Sequence, residues 1–150
     1  MLDPISVAYG EIRGTLSAFA LLTFDSVPDI SYTFDFKYLE KVKTAQATIE
    51  LYTADWADTV MLLPLADWKE VFLTTFKNWF FNKLTFPQWY KSGWFDKNIK
   101  ELITKIEQLV QPTAVWRVDI SEKGFYELLW EDFALENEHA VFFLHLGFSD

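Results

Sequence analysis

Residues 97–110 have the clearest periodic pattern in the chain, and they constrain the fold more than any other segment. Their apolar side chains recur every three or four residues, which is the period of one face of an α-helix. Asp96 stands at the N-cap position, and Pro112 ends the pattern. We therefore predict an amphipathic helix that needs an apolar surface to pack on. Its apolar positions are Ile99, Leu102, Ile103, Ile106, Leu109 and Val110.

A second helix is predicted over about residues 67–84. Asp67 can serve as its N-cap, and Glu70, three residues later, completes a capping-box pattern. Residues 86–95 contain a proline and a glycine, so we expect a loop between the two helices. The wide aromatic and apolar face of this helix is formed by Trp68, Phe72, Phe76, Trp79 and Leu84.

The parts of the chain before and after these helices resemble β-strands. Residues 45–52 alternate apolar and polar side chains, which is the period of a half-buried strand, and residues 121–124 resemble a hairpin turn. Strands on both sides of two helices predict an α+β fold in one domain, residues 1–150: a mostly antiparallel sheet with both helices on one face. The predicted strands are residues 15–24, 30–36, 45–52, 58–63, 115–120, 125–135 and 140–148.

Composition excludes several classes of function. The chain has no cysteine, so it has no disulfide framework, zinc ribbon or cysteine nucleophile. Its five glycines form no phosphate-binding motif, and we expect neither a cofactor nor a metal. The net charge is −9, whereas nucleic-acid binding needs a cationic surface, so we do not expect direct binding to nucleic acid.

The apolar run at residues 15–24 raises the question of a membrane or a signal sequence. Ten residues cannot span a bilayer. Asp3, Glu11 and Arg13 give the preceding segment a net charge of −1, whereas a signal sequence starts with positive charge. We therefore interpret the run as a buried strand and expect a cytoplasmic protein with no membrane partner.

The negative charge lies towards both ends of the chain. Residues 1–60 carry nine acidic and four basic side chains, and residues 113–150 carry eight and two, whereas residues 61–112 carry five and seven. The segment FYELLWEDFALENEH, residues 125–139, threads carboxylates between aromatic rings. It is either a solvated strand face or a binding surface for a basic partner. The candidate partner-binding residues are Glu127, Trp130, Glu131, Asp132, Glu136 and Glu138, with Asp55, Trp56 and Asp58 as a second patch.

A catalytic or metal role for these side chains has little support. On a strand, Glu127 and Glu131 would be about 13 Å apart, whereas paired glycosidase carboxylates are about 5–9.5 Å apart. His139 and His145 would be about 20 Å apart, too far to share one metal. We expect His145 to be a core histidine with one satisfied nitrogen. An enzyme that uses Glu136 and His139 is the weakest of the alternatives.

An aromatic cluster in the middle of the chain leaves another alternative open. It is either core, or a protein contact, or the wall of a small-ligand pocket around Trp79, Trp89 and Trp94. The last interpretation would make the chain a ligand-binding or scaffold domain. The cluster consists of Trp79, Phe80, Phe81, Phe86, Trp89, Tyr90, Trp94 and Phe95.

The stretch TVMLLPLADW, residues 59–68, followed by a helix that carries Trp79, resembles one known group of proteins. It is similar to immunity proteins of bacterial contact-dependent growth inhibition and related polymorphic toxin systems, over about a seventh of the chain. The similar features are an apolar strand, a Leu-Pro-Leu turn, a tryptophan at the helix start and an aromatic helix. The resemblance implies a cytoplasmic protein without catalytic activity that binds and neutralises one toxin domain, often a nuclease.

Charge and resemblance together lead to one functional prediction. An acidic inhibitor suits a basic toxin, because its carboxylates can pair with the cationic side chains that would otherwise hold phosphates. Trp130 and its aromatic neighbours would then anchor the partner. We expect an immunity-type protein that binds a basic toxin domain through the acidic and aromatic residues named above.

Overall fold

The computed structural model describes residues 3–24, 29–80, 88, 91–124 and 126–149, and all structural statements concern these residues. They include four helices and five strands. In chain order the elements are α1 (Pro4–Phe24), β1 (Ser31–Glu40), α2 (Ala45–Thr53), β2 (Ala57–Pro64), α3 (Trp68–Trp79), α4 (Trp94–Val110), β3 (Ala114–Glu122), β4 (Leu129–Glu136) and β5 (Ala140–Ser149).

The five strands form one antiparallel sheet, which confirms the predicted α+β class. Their order is β1-β5-β4-β3-β2, so the first two strands lie at opposite edges and the last strand lies beside the first. Phe36 of β1 pairs with Leu144 of β5, and Leu62 of β2 pairs with Val118 of β3. The sheet is therefore built from the two ends of the chain, with α3 and α4 inserted between β2 and β3.

Helices cover both faces of the sheet. The larger core lies on the helix-rich face, where α1, α3 and α4 pack on alternate side chains of the strands, such as Phe36, Phe133 and Leu144. The smaller core lies on the opposite face, which we call the α2 face, where Ile49 of α2 packs with Val118 and Phe143. Besides the two predicted helices, α3 and α4, the fold therefore has α1 on the same face of the sheet and α2 on the opposite face.

Residues 15–24 were expected to form a strand and instead belong to helix α1. Its inward side chains, Ile12, Leu16, Phe19 and Thr23, recur every three or four residues, which is a helical period. A mostly apolar run does not distinguish a strand from a buried helix, because apolar side chains occupy its exposed positions as well as its buried ones. The buried position Ile12, just before the run, continues the helical spacing.

Residues 45–52 were also predicted to be a strand, and that prediction is wrong. They lie in helix α2, whose N-cap is Thr44 with its hydroxyl accepting from the Ala47 amide. The buried positions include Thr48 and Ile49, whereas Leu51, which the alternating pattern placed inside, is exposed. The alternation depended on counting small alanines as core residues and a buried threonine as polar.

The predicted helices differ from the observed ones at their ends. Helix α3 starts at Trp68 as expected, but the Asp67 side chain makes no capping hydrogen bond, so the predicted capping box is absent. Helix α4 starts at Trp94, after Gly93 in the left-handed region at φ 75°, and not after Asp96. Helix α3 ends at Trp79, and Trp94 and Phe95, which were expected in the loop, already belong to α4. Residues 81–84 of the expected α3 and residues 86, 87, 89 and 90 of the expected loop lie outside the described residues.

The start of strand β4 also differs from the prediction. The strand predicted over residues 125–135 begins at Leu129, and β3 already ends at Glu122. The described residues between them, including Tyr126, Glu127 and Leu128, are not paired as a strand. This connection lies against the α2 face and carries the most unusual cluster of side chains among the described residues.

Candidate functional site

Three aromatic rings meet beside the β3–β4 connection. Trp56 stacks on Tyr126 with ring centroids 4.1 Å apart and planes 22° from parallel, and Tyr126 meets Trp130 edge-on at 5.1 Å. Trp56 lies between α2 and β2, whereas Trp130 is the second residue of β4. We call these three residues the aromatic stack. It joins two segments that are about half the chain apart in sequence.

Backbone hydrogen bonds fix the corner at which the stack forms. The Lys123 amide donates to the Trp56 carbonyl at 2.9 Å, and the Lys123 ammonium donates to the Ala54 carbonyl at 3.0 Å. The Tyr126 amide donates to the Glu122 carboxylate. The end of α2 is thereby tied to the β3–β4 connection, so Trp56 and Tyr126 are held at one place.

Beneath Tyr126 lies a buried ionic cluster. His145 Nδ1 is 2.6 Å from Asp132 Oδ1, and His145 Nε2 is 3.2 Å from Glu127 Oε1. The Tyr126 hydroxyl is 2.7 Å from the same Nδ1. Asp132 is 1% exposed and His145 is 6% exposed. With a carboxylate facing each ring nitrogen, the geometry favours the doubly protonated imidazolium, which can donate from both nitrogens.

The electrostatics of the cluster agree with a charged histidine. Burial alone lowers the pKa of His145, but the carboxylates of Asp132 and Glu127 beside the ring outweigh burial and raise its pKa to about 9. Burial raises the pKa of Asp132, and the His145 cation opposes that rise. Burial also raises the pKa of Tyr126, so the phenol stays protonated. We take the Asp132–His145 ion pair as the state of the cluster near neutral pH, because the two carboxylates beside the ring favour the imidazolium, and the imidazolium in turn favours the ionised form of Asp132.

The cluster leaves polar atoms unpaired and depends on a glycine. Glu127 Oε2, Asp132 Oδ2 and His145 Nε2 are buried and have no hydrogen-bond partner. The Glu127 carboxylate occupies the space beside Gly147 in which the Cβ of any other residue would stand. Glu127 can therefore reach His145 only because residue 147 is a glycine.

Six of the nine predicted partner-binding residues lie in this region, among them Trp56 of the aromatic stack. Asp55 and Asp58 are exposed on either side of Trp56, and Trp130 is half-buried at the other end of the stack. Glu127 and Asp132 are not surface carboxylates, since both face His145. The region therefore presents two of the predicted acidic side chains to solvent and uses two others internally.

The remaining carboxylates point elsewhere. Glu131 lies on the helix-rich face, where it accepts from Trp79 Nε1 at 2.5 Å and from Arg117 at 2.9 Å. Glu136, at the far end of β4, is 3.5 Å from the Lys41 ammonium. Glu138 is exposed in the turn that follows, beside His139. These three do not form one surface with Trp56 and Trp130.

Three members of the site were absent from the predicted set: Tyr126, His145 and Gly147. The expectation of a core histidine with a single satisfied nitrogen is confirmed, since Nδ1 is bonded to Asp132 and Nε2 has no hydrogen-bond partner, although the Glu127 carboxylate lies 3.2 Å from it. A signal for the pair was present in the sequence. A tight turn at residues 137–139 pairs Glu136 with Val141. Four residues farther from the turn on each strand, the same register places Asp132 opposite His145.

The aromatic cluster of the middle segment divides between core and surface. Trp79 and Phe80 are buried in the larger core, and Phe95 is buried at the start of α4. Trp94 is partly exposed. Trp89, a predicted wall of the ligand pocket, lies outside the described residues together with Phe81, Phe86 and Tyr90. Trp79 therefore acts in the core, where its indole anchors Glu131.

Comparisons of the chain with protein families, with curated proteins and with solved structures gave no match. In the described part of the chain, no helix combines the length and hydropathy needed to cross a membrane. Among the same residues, no group of three or more histidine, aspartate and glutamate side chains is arranged to hold a metal ion.

Proposed function

We propose that this chain is an immunity-type binding protein without catalytic activity, which neutralises a basic toxin domain by docking it on the aromatic stack and its acidic rim. The observation that carries the proposal is the convergence of two separate stretches of sequence, residues 55–58 and 126–130. Each combines aromatic rings with carboxylates, and they meet through the contact of Trp56 with Tyr126.

The aromatic stack has the features of an interface anchor. Tryptophan and tyrosine supply large contact areas and lose few rotatable bonds on binding, which is why they dominate the energetics of protein interfaces. Trp56, Tyr126 and Trp130 are each half-buried, so the stack is neither fully in the core nor fully exposed. Leu128 is exposed beside them and extends the apolar surface.

The charges around the stack favour a basic partner. Asp55 and Asp58 flank Trp56 in the sequence, and Glu50 is exposed on α2, five residues before Asp55. Lys123 is the nearest basic side chain in the sequence, and its ammonium already donates to a carbonyl. An acidic rim steers a basic protein towards the surface and speeds association.

The strand–turn–helix segment supports the immunity-type interpretation. Residues 57–64 form β2, Leu65 follows the strand, residues 66–67 form a turn, and Trp68 opens α3. The Leu65 amide donates to the Val115 carbonyl at 2.8 Å, which ties the turn to β3. This is the order of elements that the resemblance to immunity proteins implies, and its aromatic helix packs into the core.

A growth-rescue experiment tests the proposal. The C-terminal domain encoded by the reading frame just upstream is induced in bacteria with and without this chain. We expect the domain to stop growth, the chain to restore growth, and the two to copurify. Trp56→Ala should weaken rescue, whereas Trp94→Ala, a matched change of a partly exposed tryptophan on another face, should not. A domain that stops growth even when this chain is abundant would contradict the proposal.

A further inference from the structure

The short segment of residues 126–128, which we call the strap, crosses the end of the α2 face without belonging to a strand. The Tyr126 amide donates to Glu122, and the Leu128 amide donates to the Phe148 carbonyl at 3.0 Å. Between these two points the strap is held by side chains only. Tyr126 reaches His145 Nδ1, and Glu127 reaches His145 Nε2.

His145 is the centre of this attachment. Its two nitrogens face carboxylates on two different elements, Asp132 on β4 and Glu127 on the strap. Asp132 belongs to an interior strand of the sheet and cannot leave. Glu127 belongs to the connection between two strands, so it can move away from the sheet. One cation therefore fastens a detachable segment to a fixed one.

We propose that the strap is a reversible lid that protonated His145 locks onto the sheet, and that loss of the imidazolium proton releases it. When the ring is neutral, Glu127 and Asp132 remain as two buried carboxylates on either side of an uncharged group. Glu127 Oε2 and Asp132 Oδ2 already lack donors, so the lost charge leaves nothing to offset their burial. Glu127 relieves this by moving into solvent and taking Tyr126 with it.

The direction of the pH dependence follows from the raised pKa of His145, about 9. Below that pH the ring is charged and the strap is closed; as the pH rises through it, the strap opens. The other titratable groups nearby do not reverse this pH dependence. Burial raises the pKa of both Tyr52 and Tyr126. Asp35, opposite His145 on β1, is paired with Arg13 at 3.2 Å.

Opening of the strap would also dismantle the aromatic stack, because Tyr126 is its middle ring. This consequence rests on the proposed function, since it predicts that the partner binds only the closed form. The lock itself does not rest on it and is tested on the chain alone. A failed lock and a failed partner assignment therefore give different results.

The experiment uses NMR of the full chain labelled at histidine and tyrosine, over pH 5 to 10.5. The chain has only two histidines, and the side chain of His139 is 83% exposed, so its resonance can be told apart from that of the buried His145. We expect the His145 resonance to titrate near pH 9, with the Tyr126 ring resonance moving at the same midpoint. A Tyr126 resonance that does not respond while His145 titrates would overturn the proposal.

Two variants separate the lock from ordinary destabilisation. Gly147→Ala fills the space that the Glu127 carboxylate occupies, so Tyr126 should show its open-state resonance already at pH 7. Gly124→Ala, in the same connection but with open space around it, should leave the strap closed. If Gly147→Ala does not fold, Glu127→Gln replaces it and should lower the His145 midpoint by about one pH unit or more. An unchanged midpoint and an unchanged Tyr126 resonance in Glu127→Gln would rule the lock out.

Discussion

At the scale of single residues, His145 is the centre of the ionic cluster on the α2 face, because it lies between the Asp132 and Glu127 carboxylates. A histidine between two leucines in a nearly all-apolar strand was expected to be a core residue, and it is buried as expected. The ion pair with Asp132 could not be inferred from that pattern, because it depends on which residues of β4 and β5 stand opposite each other. That register follows from the turn at residues 137–139, where Asn137 Oδ1 accepts from the amides of His139 and Ala140 at 2.9 Å.

Removing the negative partner of this pair should destabilise the protein strongly. We expect Asp132→Asn to lower the free energy of unfolding by about 3 kcal/mol, because it leaves a buried imidazolium short of a counter-charge. Glu138→Gln, at a side chain that is 86% exposed, should change it by less than about 0.5 kcal/mol. Urea unfolding at pH 7 measures both. Equal effects of the two substitutions would show that Asp132 and His145 do not form an ion pair.

The pH dependence of stability reports the same residue. Because the folded protein raises the pKa of His145 from 6.5 to about 9, its contribution is complete below pH 6.5 and disappears as the pH rises through about 9. The corresponding free energy is roughly 3 kcal/mol. We expect unfolding free energies measured between pH 6 and 10 to fall over this range, and to fall less in His145→Gln. A His145→Gln profile parallel to that of the unsubstituted chain would contradict the assignment.

At the scale of secondary structure elements, the sequence predicted best where periodicity was long and unambiguous. Helix α4 was found because its apolar residues fit the helical period only. Strand β5 was found with nearly correct ends, although its run is nearly all-apolar and shows no period. Helices α1 and α2 were missed for opposite reasons. The run at residues 15–24 has apolar side chains on the exposed side of the helix as well as the buried one, such as Leu21 and Leu16, so its period is hidden. The alternation at residues 45–52 instead depends on alanines, which both elements accept.

The placement of α1 can be tested with two leucines of the same helix. Leu16 is fully buried on the side of α1 that packs on the core, whereas Leu21 is 68% exposed. We expect Leu16→Ala to cost about 2–5 kcal/mol of stability through the lost contacts and the cavity it leaves. Leu21→Ala should cost less than about 0.5 kcal/mol. Chemical denaturation measures the difference, and similar losses at the two positions would place α1 in a different orientation or structure.

Helix capping gives a second test at this scale. The Thr44 hydroxyl accepts from the Ala47 amide at 3.1 Å, so Thr44→Ala should lower stability by about 1 kcal/mol. Asp67 stands at the N-cap of α3 but its side chain makes no capping bond, so Asp67→Ala should have a smaller effect. Thermal unfolding of the two variants compares them. A larger loss at Asp67 would mean that the sequence-based capping box forms after all.

At the scale of the whole molecule, the fold brings together what the sequence separates. The acidic and aromatic stretches near residues 55 and 130 were predicted as two patches, and nothing in their sequence says that they touch. They meet because β2 and β4 both border β3, and because the β3–β4 connection folds back over the corner after α2. The same fold turns Glu131 to the opposite face and moves Glu136 and Glu138 to the far end of β4.

This arrangement determines which carboxylates can be substituted to test partner binding without disturbing the fold. Reversing the charge of Glu131 or Asp132 would disturb the contacts with Trp79, Arg117 and His145, so its effects on binding could not be separated from effects on folding. Asp55 and Asp58 are exposed beside the aromatic stack and form no ion pair among the described residues. They are the side chains whose loss should act on association alone.

The central claim, that a basic partner docks on this corner, is tested most directly by association kinetics with the domain that copurifies in the rescue experiment. Asp55→Lys/Asp58→Lys is compared with Glu70→Lys/Glu101→Lys, which changes exposed residues of α3 and α4 and shifts the net charge equally. Stopped-flow fluorescence at low and moderate salt measures the rate constants. We expect the first variant to associate about tenfold more slowly at low salt with a weaker salt dependence, and the second to stay near the unsubstituted rate. Equal slowing by both variants, or by neither, would contradict docking at this corner.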